Sequence, residues 1–557
     1  MRTMRVLAAS LAALLLTSCN SGGHSDPLVP ETFVNPVELK SVNGALRTTF
    51  TVASAQVRLA DRTVTTAVYN GSYVPPVLRL RPGDTLFLDL VNRYSEQTNL
   101  HLHGLNVSPR INADATVGDN VFVSDDPGFT ISYRIPIPAT HNPGLYWYHT
   151  HLHEKAQRQV MGGLSGGIVI DGVLDPLPQL QNVKERILLL KDIQITPQGT
   201  VPDEIDPSAP SMRMVNGLVN PTITIRPNET QFFRIANIGS DLYYKLTLPG
   251  HVFYEIAVDG NRRNQIVARQ ELFIPPSSRV EVLIQGGPRG SYPLSAAAID
   301  TGPSGDTYPA TTIATIVSQG EVADPITLPS ALPAVDDLRT ATIARRRTIT
   351  FTESADGNTF FIDSGAGAKQ FNPNIVDSTI PMGTVEEWTL LNATQELHTF
   401  HIHQTDFQVT EVNGIAQPFL GHQDNVNLPF QPTPDDPPGI VKVLIDFRNP
   451  IITGKFVYHC HILEHEDGGM MAVAEVVAPS AAAMLAGQLL KVVDRVLNQD
   501  AAQQAALAEQ TLNAIQSGSF CRTEPALPEV KVVRAGASSK TSSSSNATAG
   551  VQKVRAP

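Results

Sequence analysis

Ten of the fifteen histidines in the chain fall in four short motifs: His101-Leu102-His103-Gly104, His149-Thr150-His151, His398-Thr399-Phe400-His401-Ile402-His403, and His459-Cys460-His461 followed by His465 and Met470. A lone histidine is an ordinary core or surface residue, but repeated H-x-H pairs are a pattern of ligands. Successive side chains on a strand point to opposite faces, so both histidines of a pair share one face and can address adjacent ions. In the fourth motif His459 and His461 face one way and Cys460 the other, so three consecutive residues can bridge two metal sites. Ligand type then selects the ion. A thiolate, two imidazoles and a weak axial thioether form a blue-copper electron-transfer arrangement, and Cys460, His465, Met470 and one distant histidine supply it. The C-x-x-C spacing of structural zinc is absent, and eight further histidines with almost no carboxylate in the motifs suit a copper cluster that handles dioxygen.

These ligands need strands to hold them, and an internal repeat supplies the frame. Leu78-Arg79-Leu80-Arg81-Pro82-Gly83-Asp84-Thr85 leads to Asn92, Ile223-Thr224-Ile225-Arg226-Pro227-Asn228-Glu229-Thr230 leads to Asn237, and Thr379-Ile380-Pro381-Met382-Gly383-Thr384 leads to Asn392. Each copy reads as strand, tight turn and alternating strand, as in Leu86-Phe87-Leu88-Asp89-Leu90-Val91. Recurrence at about 150-residue intervals predicts three β-sandwich domains. The 42 Pro and 39 Gly among 557 residues exclude an all-helical bundle. The 41 basic against 53 acidic residues give a net charge of −12, which argues against a nucleic-acid partner.

The ends differ in character. Arg2 and Arg5 precede an apolar run from Val6 to Leu16 that reads as a signal peptide, and Leu16-Thr17-Ser18-Cys19 resembles a bacterial lipobox. The expectation is an exported lipoprotein held to the outer membrane, or to the periplasmic or cell-surface face, through a lipid on Cys19 alone, since no later stretch spans a bilayer. Past the third repeat, Leu485, Leu489, Val492 and Val496 recur at helical spacing and predict a helical extension over 479–520. The Ser542 to Ser545 run marks a disordered tail over 521–557.

Together the four motifs resemble those of the multicopper oxidase family, over roughly Pro36 to Val477. The resemblance implies an all-β chain of three consecutive cupredoxin-like Greek-key sandwiches at 36–175, 176–325 and 340–478, after a leader at 1–19 and a linker at 20–35. It implies four coppers. His398, Cys460 and His465 would bind the type 1 copper, with Met470 axial, and His101 and His401 the type 2 copper. One type 3 copper would take His103, His149 and His461, the other His151, His403 and His459. The middle sandwich would carry no ligand. The implied activity is one-electron oxidation of a small-molecule reductant at the type 1 site, coupled to four-electron reduction of dioxygen to water. The thiolate of Cys460 is the electron route, and Glu466 matches an acidic position that carries protons.

Some positions depart from the family pattern. Leu102 stands where many relatives have Trp. Asn112 occupies the offset of a second family acid, leaving Asp114 and Asp119 as substitutes. His153 extends the second motif and is expected to orient a ligand, whereas His24, His141, His251 and His422 read as surface or turn residues. Three other readings compete: a copper-free scaffold, disfavoured because all ten histidines and the cysteine are present; a two-domain nitrite reductase, which lacks the full cluster set; and a cuprous or metal-ion oxidase of copper resistance, or a copper-storage protein. Only nine methionines occur in the chain, so soft donors for cuprous ion are scarce and phenols or aromatic amines are the expected reductants.

Overall fold

Each repeat folds as strand, turn and strand, and each ends on a fully buried asparagine. The pairs are Val77–Leu80 with Thr85–Asn92, Thr222–Ile225 with Thr230–Asn237, and Ser378–Pro381 with Val385–Asn392. In Thr85–Asn92, inward residues alternate with partly or fully exposed ones along the whole strand, as its period-two sequence requires. The terminal asparagine then fastens the following loop. The Asn92 amide donates to the Glu96 carbonyl (2.8 Å), and the Asn392 amide to the Glu396 carbonyl (2.8 Å), just before His101 and His398. A turn motif far from any ligand thus sets where two histidine strands begin.

The structure, a computed structural model, describes residues 31–206, 209–478 and 513. The expected leader with Cys19, His24, the tail and all but one residue of the helical extension lie outside the described residues. Within them the chain is built of three sandwiches, each of two facing sheets. In the first, the ligand-bearing sheet runs Glu38–Lys40, Val77–Leu80, Ser165–Ile170, Gly144–His149, His101–His103. In the third, the corresponding order is Ser378–Pro381, Met471–Val477, Gly454–Cys460, His398–Ile402, Asn425–Leu428. Antiparallel register sets His101 opposite His149 and His401 opposite His459. Both ligand rows therefore lie on adjacent strands before the domains meet.

The middle sandwich wedges against both neighbours. Its strand Thr230–Asn237 is buried on both faces, unlike its counterpart Thr85–Asn92. The Ser165 hydroxyl donates to the Ile238 carbonyl (2.9 Å) on one side, and Tyr243 Oη lies 3.0 Å from Thr399 Oγ1 on the other. The first and third sandwiches also touch directly. The Asp467 carboxyl group accepts from the Ala156 and Gln157 N–H groups (3.2 and 2.8 Å) at the start of helix Ala156–Gly162.

Candidate metal centre

The structure gathers the ten motif histidines and Cys460 into two donor groups. Eight imidazoles, from His101 to His151 in the first sandwich and from His401 to His461 in the third, form one cluster. His398, Cys460 and His465 form the other. All eleven side chains are buried.

In the smaller group, the Nδ1 atoms of His398 and His465 lie 2.9 Å apart and each is 3.6 Å from Cys460 Sγ. The far edge of each ring fixes which nitrogen carries the lone pair. His398 Nε2 meets Thr394 Oγ1 at 2.8 Å and His465 Nε2 meets Glu396 Oε1 at 3.2 Å. With Nε2–H donated outward, both Nδ1 lone pairs face the sulfur. Burial pushes the Cys460 thiol well above the ordinary thiol range, and burial drives His398 down to about 3. The single thiol proton can serve only one of the two neutral lone pairs that face it, and a soft cation held by all three donors relieves that mismatch. Met470 is fully buried in the same core cluster, its carbonyl accepting from the Cys460 N–H (3.1 Å).

The same logic orders the eight-histidine cluster. The Nδ1 of His149 donates to the Thr150 carbonyl (2.7 Å), that of His401 to the Asp424 carbonyl (2.8 Å) and that of His459 to the Cys460 carbonyl (2.9 Å). His101 Nδ1 lies 3.1 Å from Asp119 Oδ1. Each contact leaves Nε2 as the basic atom, and those of His101, His149 and His401 are buried without a partner. The Nε2 atoms of His151, His403 and His459 stand 3.1 to 3.2 Å from one another, and His103 Nδ1 stands 3.1 Å from His461 Nε2. Protonation cannot relieve this crowding, because burial and neighbouring imidazoles hold His101, His103, His151 and His401 well below the ordinary histidine range. Metal-ligating distances group the donors as His101, His103 and His401; His103, His149 and His461; His151, His403 and His459; and His398, Cys460 and His465. The residues fit copper on orphaned buried nitrogens as well as on ligand type.

Carboxylates flank the cluster. Glu466 is buried, its oxygens 3.1 Å from His459 Nδ1 and 3.3 Å from His151 Nδ1. Of the two acids left open by sequence, Asp119 is the buried one at His101. It also accepts from the Leu102 N–H (3.0 Å) and the Gln404 amide (2.7 Å), and burial pushes it up to about 7. Asp114 is exposed and turned toward Thr116 and Arg134. The His153 ring packs on Phe371, with centroids 5.0 Å apart. His141 and His251, read as surface or turn residues, are both buried and pin turns, accepting from the Asn106 and Gly287 N–H groups at 3.1 Å. His422 is largely covered.

Sequence reading missed one device altogether. Asp424 Oδ1 lies 3.4 Å from His103 Nε2, and the Asp424 carboxylate is held by a fully buried Arg279 through two contacts of 2.8 and 2.5 Å. Gly104 makes room for the pair. Its φ is +84°, and a Cβ there would meet Arg279 Nη2 and Asp424 Oδ2 at 2.5 Å.

Family models described as multicopper oxidase match residues 51–173, 146–321 and 339–480, which together span all three sandwiches. The chain belongs to the multicopper oxidase family. As a member it is an oxidoreductase, and copper is the family's cofactor. The chain is 26% identical over 420 residues to a multicopper oxidase of Staphylococcus haemolyticus, covering 73% of this chain and 83% of the relative. It is 22% identical over 473 residues to a laccase of Bacillus subtilis, covering 74% and 90%. A solved multicopper oxidase from Campylobacter jejuni, titled a metallo-oxidase, superposes with a TM-score of 0.68 at 24% identity, over 81% of this chain and 96% of its own.

Proposed function

We propose that this multicopper oxidase takes electrons one at a time from a small reductant beside His465 and delivers them to dioxygen at the eight-histidine cluster, with water as the product. On this reading His398, Cys460 and His465, with Met470, hold the type 1 copper, and His101 and His401 the type 2 copper. His103, His149 and His461 hold one type 3 copper; His151, His403 and His459 hold the other. Copper, when bound, supplies one-electron redox chemistry at both donor groups.

The observation that carries the proposal is the run His459-Cys460-His461. Its cysteine sits in the smaller group while its two histidines sit in the larger, so a few covalent bonds join the two. Around that run the protein's own groups do the rest. Thr394 and Glu396 orient the imidazoles of the smaller group, and Asp119 orients His101. Glu466, next to His151 and His459, is the candidate proton carrier to the cluster. Storage of copper would need no covalent link between two unlike sites.

The test is copper analysis with optical spectra and oxygen uptake. Four coppers per chain, a blue band and oxygen consumption are expected, and Cys460→Ser should lose the blue band and turnover while other coppers remain bound. A Cys460→Ser protein that stays blue refutes the assignment. We further propose that the chain is exported and acylated at Cys19, so that Cys19→Ala blocks processing or releases soluble protein; unchanged membrane association refutes that.

A further inference from the structure

A cavity of about 560 Å³ lies between the middle and third sandwiches, and none of the eleven donors is in its wall. The middle sandwich contributes Arg263 and Arg269, both from strand Asn261–Arg269. That strand bulges where it pairs with Phe253–Val258, because Glu255 faces Val267 while Ala257 already faces Arg262. The bulge lets two arginines of one strand close on one carboxylate. Arg263 Nε donates to Glu255 Oε1 (2.6 Å) and Arg269 Nε to Glu255 Oε2 (3.2 Å). Across the cavity the third sandwich presents Asn425 and Asn427.

Both guanidinium groups still have donors to give. An arginine carries four further N–H groups on its Nη atoms, and among the described residues no hydrogen bond holds those of Arg263 or Arg269. Arg263 is only 7% exposed, and its Nη atoms are open to the cavity rather than sealed in protein. The acids of the wall are already committed. Glu255 takes both Nε groups, Asp259 accepts from the Arg279 and Asn425 N–H groups (2.8 and 3.2 Å), and Glu271 pairs with Lys245 (3.1 Å). An arginine fork with free Nη donors matches the two oxygens of a carboxylate, and the Arg263–Glu255–Arg269 group keeps one net positive charge to attract it. The rest of the wall is apolar. Phe273 is 42% exposed there, beside Pro275 and Val426, and an inorganic anion leaves that surface wet.

We infer that this cavity binds an organic carboxylate with an aromatic body, its carboxylate on the Nη groups of Arg263 and Arg269 and its ring against Phe273. The ligand bridges two sandwiches, since Arg263, Arg269 and Phe273 belong to the middle one and Asn425 and Asn427 to the third. It also sits one residue from the eight-histidine cluster, because the Asn425 amide lies 3.3 Å from His103 Nε2. The cavity shares no wall residue with the one beside His465, so this is not the site where a reductant delivers electrons.

The test is isothermal titration calorimetry of the copper-loaded enzyme with benzoate, benzamide and inorganic phosphate, together with thermal unfolding. Benzoate is expected to bind one to one and to raise the unfolding midpoint, as a ligand of the docked sandwiches must. It should bind at least tenfold more tightly than benzamide, which keeps the ring without the charge, and than phosphate, which keeps the charge without the ring. Arg269→Gln, at the more open of the two arginines, should weaken benzoate at least tenfold. Phe273→Ala should weaken benzoate while leaving phosphate unchanged. Benzoate bound no more tightly than benzamide overturns the inference, as does benzoate binding that Arg269→Gln leaves intact. Phosphate bound more tightly than benzoate, or benzoate binding indifferent to Phe273→Ala, overturns the aromatic carboxylate as the ligand.

Discussion

Replacing Arg279 by methionine should separate the three sandwiches at their common junction. The guanidinium is fully buried and donates to the Leu145 carbonyl (3.2 Å), the Ser277 carbonyl (3.1 Å) and the Asp424 carboxylate (2.8 and 2.5 Å), so its partners come from the first, middle and third sandwiches. Methionine fills much of the volume but leaves the Asp424 carboxylate buried beside His103 and His401 with no counter-charge. Removing one partner of a buried ion pair costs about 3–5 kcal/mol. Replacing both charges, as Arg279→Met with Asp424→Leu, should recover ~2 kcal/mol of that loss, because the Asp424 charge is gone; the recovery stays partial because Asp259, buried 3.6 Å from the guanidinium, loses its counter-charge in either variant. The assay is guanidinium unfolding of the copper-free chain, followed by its two tryptophans. Trp147 lies in the first sandwich and Trp388 in the third. Copper retention under a chelator should fall in parallel, since Asp424 meets His103 Nε2 and His401 Nδ1. A loss below ~1 kcal/mol, the scale of an exposed pair, would refute the reasoning. Strict additivity in the double variant would do the same.

Three further outcomes follow from the same geometry. Glu466→Gln should keep the blue band but slow dioxygen reduction, since an amide keeps the shape and cannot relay a proton between solvent and the cluster; stopped-flow reoxidation at an unchanged rate would assign Glu466 a packing role. Gly104→Ala should cut copper binding by the larger cluster, because its Cβ collides with the Arg279–Asp424 pair at a positive φ; full copper content by metal analysis would count against the clamp. Asn392→Ala should cost ~1–2 kcal/mol by removing the Asn392 amide from the Glu396 carbonyl and freeing Thr394, and should speed bleaching of the blue band by chelator through the Thr394 contact to His398.

What the sequence determined by itself was local. An H-x-H pair places both rings on one face because strand side chains alternate, and the repeated turn with its terminal asparagine needs only a dozen residues to declare itself. Both therefore survive as patterns in the chain, and with them the sandwich fold, the copper chemistry and the ten histidines with Cys460 as candidates. Only the tertiary structure decided what depends on docking one sandwich against another. Asp119 rather than Asp114 meets His101 because a loop turns one inward and leaves the other exposed. Thr230–Asn237 loses its solvent face because its outer side, with Ala236, packs against Leu145 and Trp147 of the first sandwich while Phe233 and Ile235 fill its own core. Arg279 and Asp424 are 145 residues apart and belong to no motif. Their chemistry arises from burial and from convergence, and neither property is carried by residue type or spacing along the chain.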